Sequence, residues 1–383
     1  MKFADSLYSG IWKSNTGREI MKVILTNPDL ISIKPAFYAS KFLVDPEICP
    51  SNARGEATFV SKMREMETGG LMDMRAPLSD TITVDRKPMS SYSDTIPEFS
   101  ARGYVEQAME RMYKEDMFEQ FGDDELIATY AQNEIQRMIN SAQQTLSYQS
   151  AMLLSTGRIV YDQGLGIQGN LIKAAIPQDN FDTAGQAVWS DPTAKIITQM
   201  IEKEDKYRQK WGIDIPLVWE IKKKEFIDKF LPNDQVKEWV LYTKEINGTP
   251  LPSTFGLSLD IVLEALAKYP GLSPITLIDE KSFDYENGYV EGWKPNVAVL
   301  RPRGYAGYIR RSTILDEKVF KKYGNSVNSY NFTRTLNGLA TIMNSECVNG
   351  NFKEWHTDLF MKAIPTLDEF LYHVIIDTAT ADE

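Results

Sequence analysis

The stretch from Asp123 to Thr156 constrains the fold more than any other part of the chain. It contains no proline, and no glycine occurs before Gly157. Apolar or small residues recur at helical spacing: Ile127, Ala131, Ile135, Met138, Ile139, Ala142, Leu146 and Leu153. Gly122 followed by Asp123, Asp124 and Glu125 suits a helix start, where an Asp can cap free N–H groups and acids meet the positive dipole end. Gly157 is the residue type that best tolerates a left-handed helix stop. These signals predict one unbroken helix, which at about 1.5 Å per residue would run roughly 50 Å. The other face is Gln, Asn, Ser and Thr with few charges. We therefore expect Gln132, Gln136, Asn140, Gln143 and Gln144 to be partly covered by neighbouring segments or chains.

The chain has 383 residues, enough for two or three core-forming units. Its net charge of −11 argues against gripping nucleic acid over a broad surface, although a local basic patch remains compatible. Cys49 and Cys347 make neither a disulfide framework nor a zinc set. The opening MKFADSLYSG has no apolar signal core, and no apolar run approaches the roughly 20 residues of a membrane span. A soluble protein is expected.

Residues 1–50 read as an arm lying on something else, because Pro28, Pro35, Pro46 and Pro50 oppose a sheet or long helix of its own. Residues 51–96 read as an extended β-hairpin, with one strand at Ala57 to Met63 and alternation at Thr81 to Val84. Two-stranded ribbons are marginal in water, so this one needs a partner surface, which another chain could supply. A shorter helix with a Met and Phe stripe (Met109, Met112, Phe118, Phe121) precedes the long one.

After Gly157 a strand, a glycine turn and a second strand are expected. Gly164, Gly166 and Gly169 match the dinucleotide-binding GxGxxG, but that motif needs its third glycine at a helix start. The following segment meets Pro177 too soon for such a helix, and no acid follows at the expected place, so a β-hairpin is the better reading. From Asp191-Pro192, taken as cap and first turn of a helix, an α/β unit begins. It continues with a strand in IPLVWEI, a helix stopped by Pro232, a mixed segment QVKEWVLYTK, a capped helix before Pro270-Gly271, and strands in ITLIDEKSFDY and Asn296 to Leu300. Lys222, Lys223 and Lys224 read as a solvated helix face. Arg301, Arg303, Arg310 and Arg311, with Tyr305 and Tyr308, suit either phosphate or carboxylates of a neighbouring subunit; the acidic chain favours the second. A last strand, Leu371 to Ile376, is expected to return beside the long helix.

No catalytic constellation emerges. His356 is placed in a loop, and His373, in the last strand, would lie about 13 Å from Asp377, too far to be oriented by it. There is no G-x-S-x-G elbow, P-loop, HExxH or paired-Cys motif. No catalytic, cofactor-binding or metal-binding residue is expected, although plentiful carboxylates leave a carboxylate-based or substrate-assisted enzyme open.

The order of these parts, with several local motifs, resembles the major capsid proteins of tailed bacteriophages, and within them the lambda coat-protein-like group. The motifs are Leu78-Ser79-Asp80-Thr81-Ile82-Thr83 leading through Ile96-Pro97 and Arg102-Gly103, then LLSTGRIVYD, Trp189-Ser190-Asp191-Pro192, WKPNVAVLRPRGYAGY, and Ala363 to Phe370. The resemblance spans about residues 50–383. It implies an α+β chain with the Hong Kong 97-type capsid fold: N-terminal arm 1–50, extended loop 51–96, peripheral domain 97–190 with the spine helix, axial domain 191–345, and a C-terminal return 346–383. It further implies assembly as pentamers and hexamers into an icosahedral shell around double-stranded DNA, held without sequence-specific binding. Scaffold, portal and decoration proteins are implied as possible partners, no membrane is, and the shell would be built in the host cytoplasm and found in the virion. Lys62, Arg64, Arg75, Asp85, Arg86 and Lys87, with Arg301, Arg303, Arg310 and Arg311, are then candidate inter-subunit contacts. Some relatives cross-link a loop lysine to an asparagine; Lys62 and Lys87 lie in the right segment, but nothing marks the acid or the asparagine, and no cross-link is expected. The competing readings are an encapsulin-type nanocompartment shell and an α/β enzyme with a nucleotide at Gly164–Gly169.

Overall fold

The computed structural model describes residues 37–52, 56–64, 89–104, 123–163, 167–212, 214–246, 257–284, 288–314, 331–349 and 352–381. The fold is α+β and divides into two compact units. Unit 1 comprises Met1–Phe59, Thr95–Ser147 and Ile309–Pro365; unit 2 comprises Val60–Asp94, Tyr148–Tyr308 and Thr366–Glu383. The C-terminal segment from Thr366 belongs with the α/β unit. The Met and Phe stripe before the long helix, and the alternation at Thr81 to Val84, lie outside the described residues.

Unit 1 carries two sheets, one of them wholly antiparallel. A short helix α1 (Phe37–Lys41) runs into β1 (Phe42–Cys49). The strand joins a three-stranded sheet of order β1-β13-β17, with β13 at Gly307–Ser312 and β17 at Ala363–Leu367. Pro46 is tolerated because β1 is an edge strand. Three bonds tie β1 to β13: an ion pair of Arg310 with Asp45, the Ser312 hydroxyl to the Cys49 carbonyl at 2.8 Å, and Arg311 to the Pro46 carbonyl at 3.3 Å. A second sheet has the order β14-β15-β16-β4, with β14 at Asn331–Thr335, β15 at Ala340–Asn349, β16 at Phe352–Met361 and β4 at Phe99–Tyr104. His356, expected in a loop, is inside β16 opposite Tyr104.

Unit 2 holds a five-stranded sheet of order β7-β18-β12-β8-β9. Its strands are β7 (Phe181–Thr183), β8 (Leu217–Lys222), β9 (Ile275–Ile278), β12 (Val297–Pro302) and β18 (Val374–Asp377). β12 is antiparallel to both neighbours, whereas β7 runs parallel to β18 and β9 parallel to β8. All six residues of β8 and of β12 are buried, as expected of central strands covered on both faces. The covering helices are α3 (Ile196–Trp211), α4 (Lys223–Phe230), α5 (Asp234–Ile246) and α6 (Leu259–Leu266). α3 buries Ile196, Met200, Tyr207 and Trp211, a stripe at three- and four-residue spacing. The core joins Trp189, Trp219, Phe226, Phe230, Tyr207 and Tyr372, and burial of each such side chain contributes on the order of 1.5–3 kcal/mol.

Several local readings are corrected here. Asp191 does not cap α3. Its carboxylate accepts from the Thr193 N–H and hydroxyl, both at 2.8 Å, closing a local turn, and the helix begins at Ile196. Lys222 is not on a helix face; it is buried at the end of β8 and paired with Glu291. The segment read as mixed is α5. The Ser258 cap of α6 is as expected, with the Ile261 N–H at 3.4 Å.

The long helix α2 spans Asp123–Thr156, with the expected bounds. Gly157 closes it at φ +70°, its N–H on the Leu153 carbonyl at 2.8 Å. This left-handed conformation calls for glycine; a Cβ there would lie 2.7 Å from the terminal Cδ1 of Ile176, which would have to shift. On the polar face Gln143 is buried, Gln136 and Asn140 are half-buried and Gln144 is exposed; the side chain of Gln132 lies outside the described residues. Among the described residues no helix is long and apolar enough to cross a membrane.

Candidate functional site

The glycine motif is settled by secondary structure. β5 (Arg158–Gln163) and β6 (Ile167–Lys173) form an antiparallel hairpin, and Gly169 sits within β6 opposite Tyr161. A glycine inside a strand offers no helix N-terminus to a pyrophosphate. This overturns the nucleotide reading of Gly164–Gly169.

His373 is a core residue. It lies one position before β18, 1% exposed, with Nε2 2.7 Å from the Leu154 carbonyl of α2. Burial lowers its pKa to about 4, so the ring is neutral at pH 7 and donates its Nε2–H to that carbonyl. This single bond places the start of the last strand beside the end of the long helix, within unit 2. Among the described residues no group of three His, Cys, Asp or Glu is placed to hold a metal. A recess in unit 1 lined by Ile48, Arg311, Thr341, Phe360 and Lys362 has a cavity volume of about 10 Å³, room for one water.

The candidate contact residues separate into three groups. Arg75, Asp85, Arg86 and Lys87 lie outside the described residues, as does the side chain of Arg64. Arg301, Arg310 and Arg311 make bonds inside the chain. Arg301 is buried, with Nη2 2.8 Å from Glu220 Oε1 and Nη1 2.9 Å from the carbonyls of both Pro302 and Gly304. Arg310 holds Asp45. Lys62 and Arg303 remain exposed, and neither has an ion pair among the described residues.

Lys62 sits on β2 (Thr58–Arg64), which pairs with β3 (Met89–Thr95) in a two-stranded ribbon. The ribbon's two faces differ as period-2 alternation requires. On one face, Ser61 donates to the Asp368 carboxylate at 2.6 Å, and the Tyr92 hydroxyl donates to the Leu367 carbonyl at 2.8 Å. Tyr92 also meets Phe370 edge-on, with ring centroids 5.3 Å apart. The opposite face presents Lys62 with Val60 (53% exposed) and Met89 (54% exposed). The ribbon was expected to need a partner surface. Its base finds one in its own chain, and its outer face carries apolar side chains with nothing over them among the described residues.

Two polar networks in unit 2 escaped sequence reading. In one, Glu204 of α3 accepts from Trp219 Nε1 at 2.7 Å, the Ser273 N–H at 2.9 Å and Arg208 at 3.3 Å. The other is the Glu220–Arg301 pair. A signal for it existed: Arg301 is the one charge in β12, and Glu220 interrupts the apolar run of β8 between Trp219 and Ile221. The register sets Glu220 opposite Val299, so Arg301 is its diagonal neighbour on the same face.

No protein-family model and no curated protein matches this sequence. Solved structures do. The capsid protein assigned to a prophage of Escherichia coli CFT073 superposes with a TM-score of 0.55 at 12% identity, covering 94% of this chain and 98% of that one. A phage-related protein from Bordetella bronchiseptica RB50 reaches 0.44 at 11% identity, over 94% of this chain and 97% of that one. The capsid of Ralstonia phage GP4 reaches 0.42 at 13% identity, over 91% and 92%. The likeness to the prophage protein shows that this chain has that protein's fold along nearly its whole length.

Proposed function

We propose that this chain is the major capsid protein of a tailed bacteriophage, a structural subunit that assembles as hexamers and pentamers into an icosahedral shell around double-stranded DNA. The observation that carries the proposal is the end-to-end fold likeness to the prophage capsid protein, since a shared core alone would not extend over 94% of one chain and 98% of the other. In the Hong Kong 97-type arrangement, α2 is the spine helix, the β2–β3 ribbon is the base of the extended loop, and the sheet and helices of unit 2 supply the axial part. The role is non-enzymatic, with no cofactor. Scaffold, portal and decoration proteins act as partners, assembly takes place in the host cytoplasm, and the mature location is the virion.

Two physical features support the reading. The outer ribbon face, with Val60, Met89 and Lys62, suits cover by an adjacent copy. The net charge of −11 suits a container whose packed DNA must enter and leave. The test is expression of the full chain, followed by gel filtration and negative-stain electron microscopy. Closed shells of uniform diameter are expected. A chain that stays monomeric at every concentration, with and without a co-expressed scaffold, would sink the proposal, and shells enclosing a protein cargo instead of DNA would reassign it to a nanocompartment.

A further inference from the structure

β12 and β13 are joined by a short loop whose tip, Arg303-Gly304-Tyr305, is exposed, while Pro302 and Ala306 on either side are buried. Tyr305 is 49% exposed. The tip is held from beneath. The Arg303 N–H donates to the Pro216 carbonyl at 2.8 Å, and the Ala306 carbonyl accepts from the Asp368 N–H at 3.2 Å. The Arg301 guanidinium, anchored by Glu220, grips the Pro302 and Gly304 carbonyls at 2.9 Å each. Gly304 turns at φ +129°, a conformation other residues rarely adopt.

Most exposed loops lose freedom when they bind, and that lost entropy weakens the complex. Here the backbone is already ordered by the buried fork of Arg301. What it displays is a guanidinium and an aromatic ring, two of the side chains most enriched among residues that dominate binding energy. Arg303 has no ion pair among the described residues, so its charge is directed outward. The matching surface is an acidic one. A chain of 53 Asp and Glu against 42 Lys and Arg offers such a surface on its own next copy.

We propose that Arg303-Gly304-Tyr305 is a preformed docking tip that seats on an acidic face of a second copy of this chain, and that Arg301 and Glu220 are its positioning residues. The inference rests on the shell reading above and names one of its contacts.

The experiment uses the full chain with p-benzoylphenylalanine in place of Tyr305, irradiated under assembly conditions. Covalent dimers are expected, with the tip peptide joined to a segment rich in Asp or Glu. Arg303→Glu should lower the yield of assembled particles by about tenfold or more with the melting curve unchanged, and Arg303→Lys should restore part of it. The paired change Arg301→Met with Glu220→Leu should leave the fold intact while reducing the dimer yield, which a merely structural pair would not do. Normal particles without tip cross-links, or with R303E assembling like the parent chain, would overturn the docking tip and leave the shell reading standing. A chain that remains monomeric and uncross-linked would overturn both.

Discussion

Gln149 sits in the apolar face of α2 with Leu146 and Leu153 nearby in sequence, is fully buried, and has no hydrogen-bond partner for either amide atom among the described residues. A buried polar group without a partner costs about 1–3 kcal/mol. Gln149→Leu keeps the volume and removes the polar atoms, so it should raise stability by about that amount, read as a higher urea midpoint at unchanged m-value. A loss of stability would show that the amide is satisfied in solution. His373 makes the opposite kind of prediction. Its folded pKa of about 4 lies below the unfolded value, so the unfolded chain takes up the proton first as pH falls. Stability conferred by the neutral ring is complete above pH 6.5 and is lost as pH drops toward 4, about 3 kcal/mol in all. His373→Gln keeps a donor for the Leu154 carbonyl and should flatten that part of the profile. An unchanged slope between pH 6.5 and 4 would assign the loss to carboxylates instead.

Strands and helices bring single charges into contact that only their register can match. β8 and β12 place Glu220 and Arg301 diagonally on one face, where neither reaches water. Removing one member of a buried pair strands the other, at a cost of about 3–5 kcal/mol, whereas replacing both by apolar residues is close to neutral or stabilising. Glu220→Leu and Arg301→Met should therefore each be strongly destabilising alone and far less so together, a coupling measurable by a double-mutant denaturation cycle. Additive losses would mean the pair is not the unit of stability. At the same scale, the ribbon β2–β3 is anchored by Ser61, Tyr92 and Asp368, so its base needs no second chain in order to form.

For the molecule as a whole, the excess of acidic residues sets how it meets nucleic acid. A chain with a net charge of −11 repels a polyanion over a broad surface, and counterion release supplies affinity only where cations cluster. The purified chain should leave a random-sequence DNA duplex unshifted at about 0.15 M salt. A salt-sensitive complex with steep slope would reveal a basic surface that composition hides. The same acidic excess is what the exposed Arg303 would meet on a second copy of the chain.

Local, repetitive signals were readable without coordinates. The bounds of α2 follow from an uninterrupted helical period ending at Gly157, because a helix satisfies its own backbone and its limits depend on nearby residues. The β5–β6 hairpin and the Ser258 cap followed for the same reason. Sequence also separated the glycine motif from a cofactor site, since Pro177 leaves no length for a crossover helix. The partners of the arginines were not readable. Arg301 and Arg303 look alike in a glycine-rich stretch, yet one is buried against Glu220 and the other faces out, because β12 ends at Pro302 and Arg303 already lies in the loop beyond it. The place of β1 in a sheet, and of the last strand between β7 and β12, was likewise decided by tertiary structure. A strand's backbone bonds are made to residues far away in the chain, so its neighbours are chosen by which edges and faces remain to be covered once the whole chain has folded.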